Sequence, residues 1–345
     1  MPDAGYVPEI VVWTHRPRLA LVQQVIDRLQ GRVKLIAIGG PPEAGINRFA
    51  EARSIPHYDD PRRLIVEHPA AFTFAADIEQ FPQPVILSAL SQGTTLLTIE
   101  PVAADLRQLR GFSDKAVKFS RIIDIPALTA MPGWAGAADP LGVIGPVESL
   151  TWLAFFHAHE CSLFSRLYEA WRFVVEQCHM PESINASLVA TPSESQADFR
   201  AITGSLTAHG RWSDAAGIVM QLSDSASAQP NPSAARKLEA PSPGGCDRFL
   251  HITGQAGRLR VTDHDYELFD QTGKLIDRSA PGALPPGFAE LIITALDNLL
   301  RRPPREDPRA RHHAAAALAC CQAALLSART GQPESPEQQL HLGGW

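Results

Sequence analysis

The chain has 345 residues, 45% of them hydrophobic and 20% charged, with a net charge of −6; this is ordinary for a globular protein and ample for two domains with their own cores. The lack of a long basic block excludes a dedicated binder of nucleic acid or of anionic membranes. No run of about 18 apolar residues is present to cross a bilayer, and no basic-then-apolar leader opens the sequence, so a cytoplasmic location is expected.

Strand and helix patterns alternate through the first third. Glu9-Ile10-Val11-Val12-Trp13 is a short apolar run, the pattern of a buried strand. Residues 17–30 follow with Leu19, Val22, Ile26 and Leu29 at helical spacing, and Gly31 stops them. Residues 33–38 predict a second strand, 43–53 and 61–68 helices, 71–76 a strand, 84–90 a helix and 94–98 a strand. Short connections and crossover helices imply a parallel sheet covered on both faces. The expected first domain is therefore a Rossmann-like, doubly wound α/β unit over residues 1–112.

The pattern then changes. Residues 127–145 are rich in Pro and Gly and read as loop. Residues 163–177 predict a helix. Strand-like segments follow at 183–189, 199–206, 217–222, 249–253, 258–262, 266–269 and 274–277, with Gly254, Gly257 and Gly273 at turns. Strands in series without helices between them imply an open antiparallel sheet. Residues 223–245, rich in Ser, Ala and Pro, are expected to be a mobile surface loop. Two helices, 287–302 and 308–330, close an α+β domain expected to span 113–333 as the substrate and oligomerisation domain. Residues 334–345 are expected to be a flexible tail.

Five cysteines, Cys161, Cys178, Cys246, Cys320 and Cys321, are odd in number and form no C-x-x-C pair. Adjacent Cys320 and Cys321 point about 100° apart on a helix. Neither a disulfide framework nor a zinc site is expected, and buried free thiols are the simpler reading. His312 and His313 cannot share a metal from one helix, so no metal site is expected.

Ala89-Leu90-Ser91-Gln92-Gly93-Thr94-Thr95-Leu96-Leu97-Thr98-Ile99-Glu100-Pro101 resembles a signature of the glucose-fructose oxidoreductase / inositol dehydrogenase / MocA family, roughly "A-L-x-x-G-K-H-V-x-x-E-K-P-L-A". Gly142-Val143-Ile144-Gly145-Pro146-Val147 resembles the family's entry into its open sheet. Ile252-Thr253-Gly254-Gln255-Ala256-Gly257-Arg258-Leu259 resembles one of its hairpins. Phe288-Ala289-Glu290-Leu291-Ile292 and Ser327-Ala328-Arg329-Thr330-Gly331-Gln332-Pro333 resemble its terminal helix pair. The resemblance implies the two-domain fold, an NAD(P) cofactor, sugar or polyol dehydrogenation at CH–OH groups, and subunit pairing through the C-terminal sheet.

The residues that would carry that activity are changed. The family's Lys beside the nicotinamide matches Glu100. A match anchored on Pro181-Glu182-Ser183-Ile184 puts Ser165 and Glu169 where the family has a catalytic Asp and His. A shifted match would promote Asp139, His157 or His159. The family's P-x-x-x-H loop falls on Ile78 and Pro82. A dinucleotide turn needs glycines after the first strand and an acid after the second. Here Thr14-His15-Arg16-Pro17-Arg18 follows the first strand and Gly39-Gly40 the second. His15, Arg16 and Arg18 are cations at the positive end of a helix; they either hold an anion in place of the missing glycine amides or turn to solvent and nearby carboxylates. Trp134 either walls a sugar-sized pocket or packs in a core.

Three functions are compatible with this pattern. One is a diverged member that has lost ordinary NAD(P)-dependent catalysis and serves as a binding, regulatory or partner subunit. It would be a homo-oligomer or pair with an active paralogue. The second is an active oxidoreductase with an atypical cofactor pocket. The third is a non-redox enzyme that uses Glu100 and Glu169 as a carboxylate pair.

Overall fold

The computed structural model describes residues 7–113, 121–124, 128, 131–156, 161–190, 202–212, 216–224, 246–279, 287–302 and 309–345. The chain forms two compact units, the first from residues 1–103, 108–126 and 288–308 and the second from 104–107, 127–287 and 309–345.

The first unit holds β1 (Glu9–Trp13), α1 (Arg16–Arg28), β2 (Lys34–Gly39), α2 (Ala44–Ala52), β3 (His57–Tyr58), α3 (Pro61–Glu67), β4 (Phe72–Ala75), α4 (Gln83–Ser91) and β5 (Thr95–Thr98). After α5 (Leu106–Ser113), β6 (Ile122–Asp124) completes a six-stranded sheet. The strand order is β3-β2-β1-β4-β5-β6, and every pairing is parallel. Ile10, Val11 and Val12 are wholly buried, as is Phe74, because helices cover both faces of such a sheet. The order reverses between β1 and β4. Ligands of open α/β sheets bind outside the C-terminal ends of strands at such a reversal.

In the second unit, α6 (Pro132–Gly136) and α7 (Ala138–Val143) lead into β7 (Val147–Phe156). These two short helices correct the loop expected over 127–145. Pro132 opens α6 at a first-turn position, where its missing N–H costs nothing. Gly133 serves packing: a Cβ there would lie 2.1 Å from the Thr262 carbonyl oxygen. Next come α8 (Leu163–Cys178), β8 (Ser183–Ala190), β9 (Gly204–Arg211), β10 (Gly217–Asp224), β11 (Cys246–Gly254), β12 (Gly257–Thr262), β13 (Tyr266–Asp270) and β14 (Leu275–Arg278). Residues 199–201 of the predicted strand and 225–245 of the predicted loop lie outside the described residues.

The eight-stranded sheet runs β14-β13-β12-β11-β7-β10-β9-β8. All its pairings are antiparallel save β7 with β10. Leu150, Trp152, Ile218, Met220, Leu222, Leu250 and Ile252 are buried. They share one face of the sheet, because successive side chains alternate across a strand. On the same strands Phe155 and Val219 are exposed, and Leu153 and Phe249 are half-buried.

After β14 the chain returns to the first unit for α9 (Phe288–Arg301), which packs on α1. Arg28 pairs with Glu290 and Arg32 with Asp297 along that contact. In the second unit α10 (Ala310–Thr330) lies against α8 and β8. A run of buried Ala with Cys320 and Cys321 lets the helix approach closely. Cys161, Cys178, Cys320 and Cys321 are buried free thiols.

The tail is a second correction. Residues 334–345, expected to be flexible, contain α11 (Pro336–Gly343), capped by Ser335. Before it, Glu334 exchanges two backbone hydrogen bonds of 2.8 Å with Ile184 and so covers part of the β8 edge. The Trp345 indole N–H donates to the Leu106 carbonyl oxygen. These bonds hold a segment whose composition alone suggests none.

Candidate functional site

At the reversal point, β1 ends in Trp13 and the chain turns into α1. Thr14 N donates to the Gly39 carbonyl oxygen at 3.0 Å. A Cβ on Gly40 would lie 2.0 Å from the Thr14 carbonyl oxygen, and one on Gly39 2.3 Å from the Trp13 ring. The two glycines after β2 therefore let the β1–α1 turn and the Trp13 indole close against the end of β2. The indole N–H donates to Gln80 Oε1 at 3.1 Å, and the ring meets Phe81 edge-on.

The segment after β4 supplies the carboxylates. Asp77 is wholly buried, Glu100 is 1% exposed and Arg18 is 7% exposed. Arg18 Nη1 donates to the Ala76 carbonyl oxygen and to Asp77 Oδ1, the latter at 3.1 Å. Its Nη2 donates to Glu100 Oε1 at 3.2 Å. His15 N donates to Asp77 Oδ2 at 2.7 Å, and His15 Nδ1 lies 2.5 Å from Asp77 Oδ1. The Asp77 hydrogen bond raises the His15 pKa; burial opposes it. Arg16 points to solvent. Of the two outcomes open for the cations after β1, Arg18 takes the nearby carboxylates and Arg16 takes solvent.

Glu79 sits in the turn Ile78–Gln80 that follows Asp77. Crowding by protein, then the like charge of Asp77, pushes its carboxyl up to about 7. Its side chain nevertheless reaches solvent. Ile78 is buried and Pro82 precedes α4; neither offers a titrating group.

Glu169 and Ser165 belong to the second unit. Ser162 caps α8 by accepting from Ser165 N at 3.0 Å, so Ser165 stands in the first turn. One turn on, Glu169 Oε2 accepts from Arg166 Nη1 at 2.8 Å and from Arg248 Nε at 2.9 Å, and its Oε1 accepts from Arg248 Nη2 at 3.1 Å. Arg248 Nη1 reaches Asp263 Oδ2 at 3.0 Å, and the Trp134 indole N–H donates to Asp263 Oδ1 at 3.0 Å. Burial alone would raise the Glu169 pKa; the Arg166 and Arg248 charges more than offset it and hold the group below its ordinary value. Burial leaves Asp263 raised. A carboxylate gripped by two guanidiniums is a poor proton acceptor.

Trp134 packs with Trp152 and Phe173, ring centroids 5.0 and 5.3 Å away, as a core residue. Asp139 is exposed on α7, and His157 and His159 lie outside the described residues. Among the described residues no group of three His, Cys, Asp or Glu side chains is placed to hold a metal, and no helix is long and apolar enough to cross a membrane. The sequence reading missed Asp77, Glu79, Arg166, Arg248 and Asp263. Only Asp77 carried a signal, an acid directly after a predicted strand.

No protein-family model and no curated protein matches this sequence. Solved structures do. An oxidoreductase from Agrobacterium radiobacter, in complex with NAD+, L-tartaric acid and magnesium, aligns with TM-score 0.69 at 13% identity over 96% of this chain and 99% of its own. Levoglucosan dehydrogenase, in complex with NADH and levoglucosan, aligns with TM-score 0.66 at 12% identity over 95% of this chain and 98% of its own. Biliverdin reductase from Synechocystis, in complex with biliverdin and NADP+, aligns with TM-score 0.61 at 15% identity, covering 94% and 98%. The parallel sheet, the larger mostly antiparallel sheet and their order in the chain give this protein, in strongly diverged form, the two-domain fold of the glucose-fructose oxidoreductase / inositol dehydrogenase / MocA-type oxidoreductases.

Proposed function

We propose that this protein is an oxidoreductase-like subunit that has left ordinary NAD(P)-dependent dehydrogenation and serves as a binding, regulatory or partner subunit. The observation that carries this reading is Arg18, held between Asp77 and Glu100 at the reversal point of the first sheet. Where glycine amides would receive a pyrophosphate, the chain places His15 and Arg18. Where an acid would hold a ribose hydroxyl, Gly39 and Gly40 are closed over by Trp13 and Thr14. These residues do not fit a dinucleotide held in the usual way. The matched catalytic positions support the same reading, since Glu100 and Glu169 are each engaged by arginines within their own unit. Titration calorimetry with NAD(H) and NADP(H) tests it. No saturable heat is expected, whereas tight stoichiometric binding would favour an active oxidoreductase with an atypical pocket.

We further propose that the subunit self-associates through the open face of its larger sheet. Phe155 is 46% exposed and Val219 38% exposed on that face, with Leu153 and Phe249 half-buried beside them. Contiguous apolar groups on a solvent face mark interaction surfaces.

A further inference from the structure

The chain leaves the first unit for residues 104–107 and returns to it at 108, so α5 begins in the second unit and continues in the first. Each unit holds its own part of that helix. In the first unit, Gln83 Nε2 donates to the Gln108 carbonyl oxygen at 2.7 Å, and a Cβ on Gly111 would lie 2.2 Å from the same nitrogen. In the second unit, Leu106 is 1% exposed. The Trp345 indole N–H donates to its carbonyl oxygen at 3.3 Å, and a Cβ on Gly343 would lie 2.6 Å from the Leu106 Cβ. The last turn of α11 therefore sits directly on the first turn of α5.

The end of α11 is shaped for that contact. Gly344 is left-handed, at φ 77°, and Trp345 N donates back to the Leu340 carbonyl oxygen at 3.0 Å. This is the closing bond of a Schellman-type end, and it turns the indole toward Leu106. Between its ends the helix is lightly held. Of its 8 residues, Pro336 and Gly343 are buried, and Leu342 is 75% exposed. The hold lies at Glu334, bonded to Ile184, and at Gly343 and Trp345 on Leu106. A helix of this length is marginal in water by itself. Segments with few buried apolar contacts open locally, at a cost below that of global unfolding.

We propose that residues 334–345 are a releasable strap, which fixes the first turn of α5 to the second unit and frees it when the strap opens. The connection from β5 to α5 leaves Thr98 and carries Glu100. It lies at the C-terminal end of a strand of the parallel sheet, where open α/β sheets take their ligands. The strap thus holds one end of the segment that carries Glu100. Coupling of this kind is reciprocal: whatever shifts that connection biases the strap, and whatever captures the strap biases the connection.

Hydrogen–deuterium exchange of the full chain in low concentrations of urea tests this. The amides of Arg110 and Gly111 report on the first turn of α5, since helical bonds reach back four residues to Leu106 and Arg107. Peptides covering 106–113 and 336–345 are expected to share one opening free energy, lower than that of α8. It should depend little on urea, because such an opening exposes little surface. Trp345→Phe keeps an aromatic ring and removes the indole donor. It is expected to speed exchange in both peptides by the same factor, about fivefold for one hydrogen bond. Gly343→Val presses a branched side chain on Leu106 and is expected to speed both further. Leu342→Gln, at an exposed position of the same helix, is expected to change neither. Protection kept at 106–113 while 336–345 exchanges would overturn the strap. So would exchange of both peptides only together with α8, or unchanged rates in both contact variants.

Discussion

Arg18 and Glu100 stand 82 residues apart in the sequence and 3.2 Å apart in the fold, Nη2 to Oε1. Asp77 occupies the other arm of the same guanidinium. Removing the cation would take from Asp77 and Glu100 the guanidinium they share, and breaking a buried pair from one side typically costs about 3–5 kcal/mol. Arg18→Met is therefore expected to lower unfolding free energy by that order, measured by chemical denaturation. Replacing both partners, Arg18→Met with Glu100→Gln, is expected to recover part of the loss.

Glu100→Lys supplies the residue that the resemblance implies at this position, and no NAD(P)-dependent turnover on polyols or sugars is expected from it. Catalytic groups that act as a unit are strongly non-additive, and by the proposed match Ser165 and Glu169 would still stand in place of the family's Asp and His. The geometry adds a second consequence: the new ammonium would face Arg18 in a buried place. A lower midpoint in urea is expected together with the absent activity, and robust turnover would show a more intact site.

In the second unit, Arg248 serves both Glu169 and Asp263. Arg248→Ala is expected to cost about 3–5 kcal/mol and to change acid unfolding. Glu169 has its pKa depressed, so its stabilisation is present above its unfolded value of about 4.3 and lost as pH falls through the folded value. That part of the acid transition should flatten in Arg248→Ala, as followed by circular dichroism.

Gly40→Ala tests the closure over β2. The added methyl would meet the Thr14 carbonyl oxygen, which belongs to the backbone and cannot swing away. Overpacking of this kind costs about 1–3 kcal/mol. Gly31, which has open space around the position of a Cβ, is the control for a glycine of positive φ without a clash.

On the open face of the larger sheet, Phe155→Glu is expected to convert an oligomer to monomers in light scattering at micromolar concentration. A wild-type chain that is already monomeric would defeat the proposed association.

Many β-strands of both sheets were legible because their signal is local, but β3, β6 and β7 were not read as strands, and β9 spans Gly204–Arg211 where 199–206 was expected. Glu9-Ile10-Val11-Val12-Trp13 reads as a buried strand on its own, and β1 has those bounds. Gly133 and Pro132 misled because composition cannot tell a turn glycine from one that admits a neighbouring backbone. The tail misled because its order comes from Ile184, about 150 residues earlier. The changed positions at Glu100, Glu169 and the β1–α1 turn were visible in the sequence. Their partners were not, since nothing local links Arg18 to Asp77 or Glu169 to Arg248.

The return of the chain to α9 bears on how the protein is made. The first unit is begun at residue 9 but has α9 packed on α1, and α9 ends at Arg301. A ribosome must therefore deliver residues 127–287 of the second unit before the apolar stripe of Phe288, Leu291, Ile292 and Leu296 becomes available. Until then, the α1 surface that α9 will cover stays open to water or to a chaperone. The amino-terminal unit, begun first, is complete only at residue 308, and the second unit then needs residues 309–345, so the amino-terminal unit gains little of the head start that completing domains from the amino terminus usually gives.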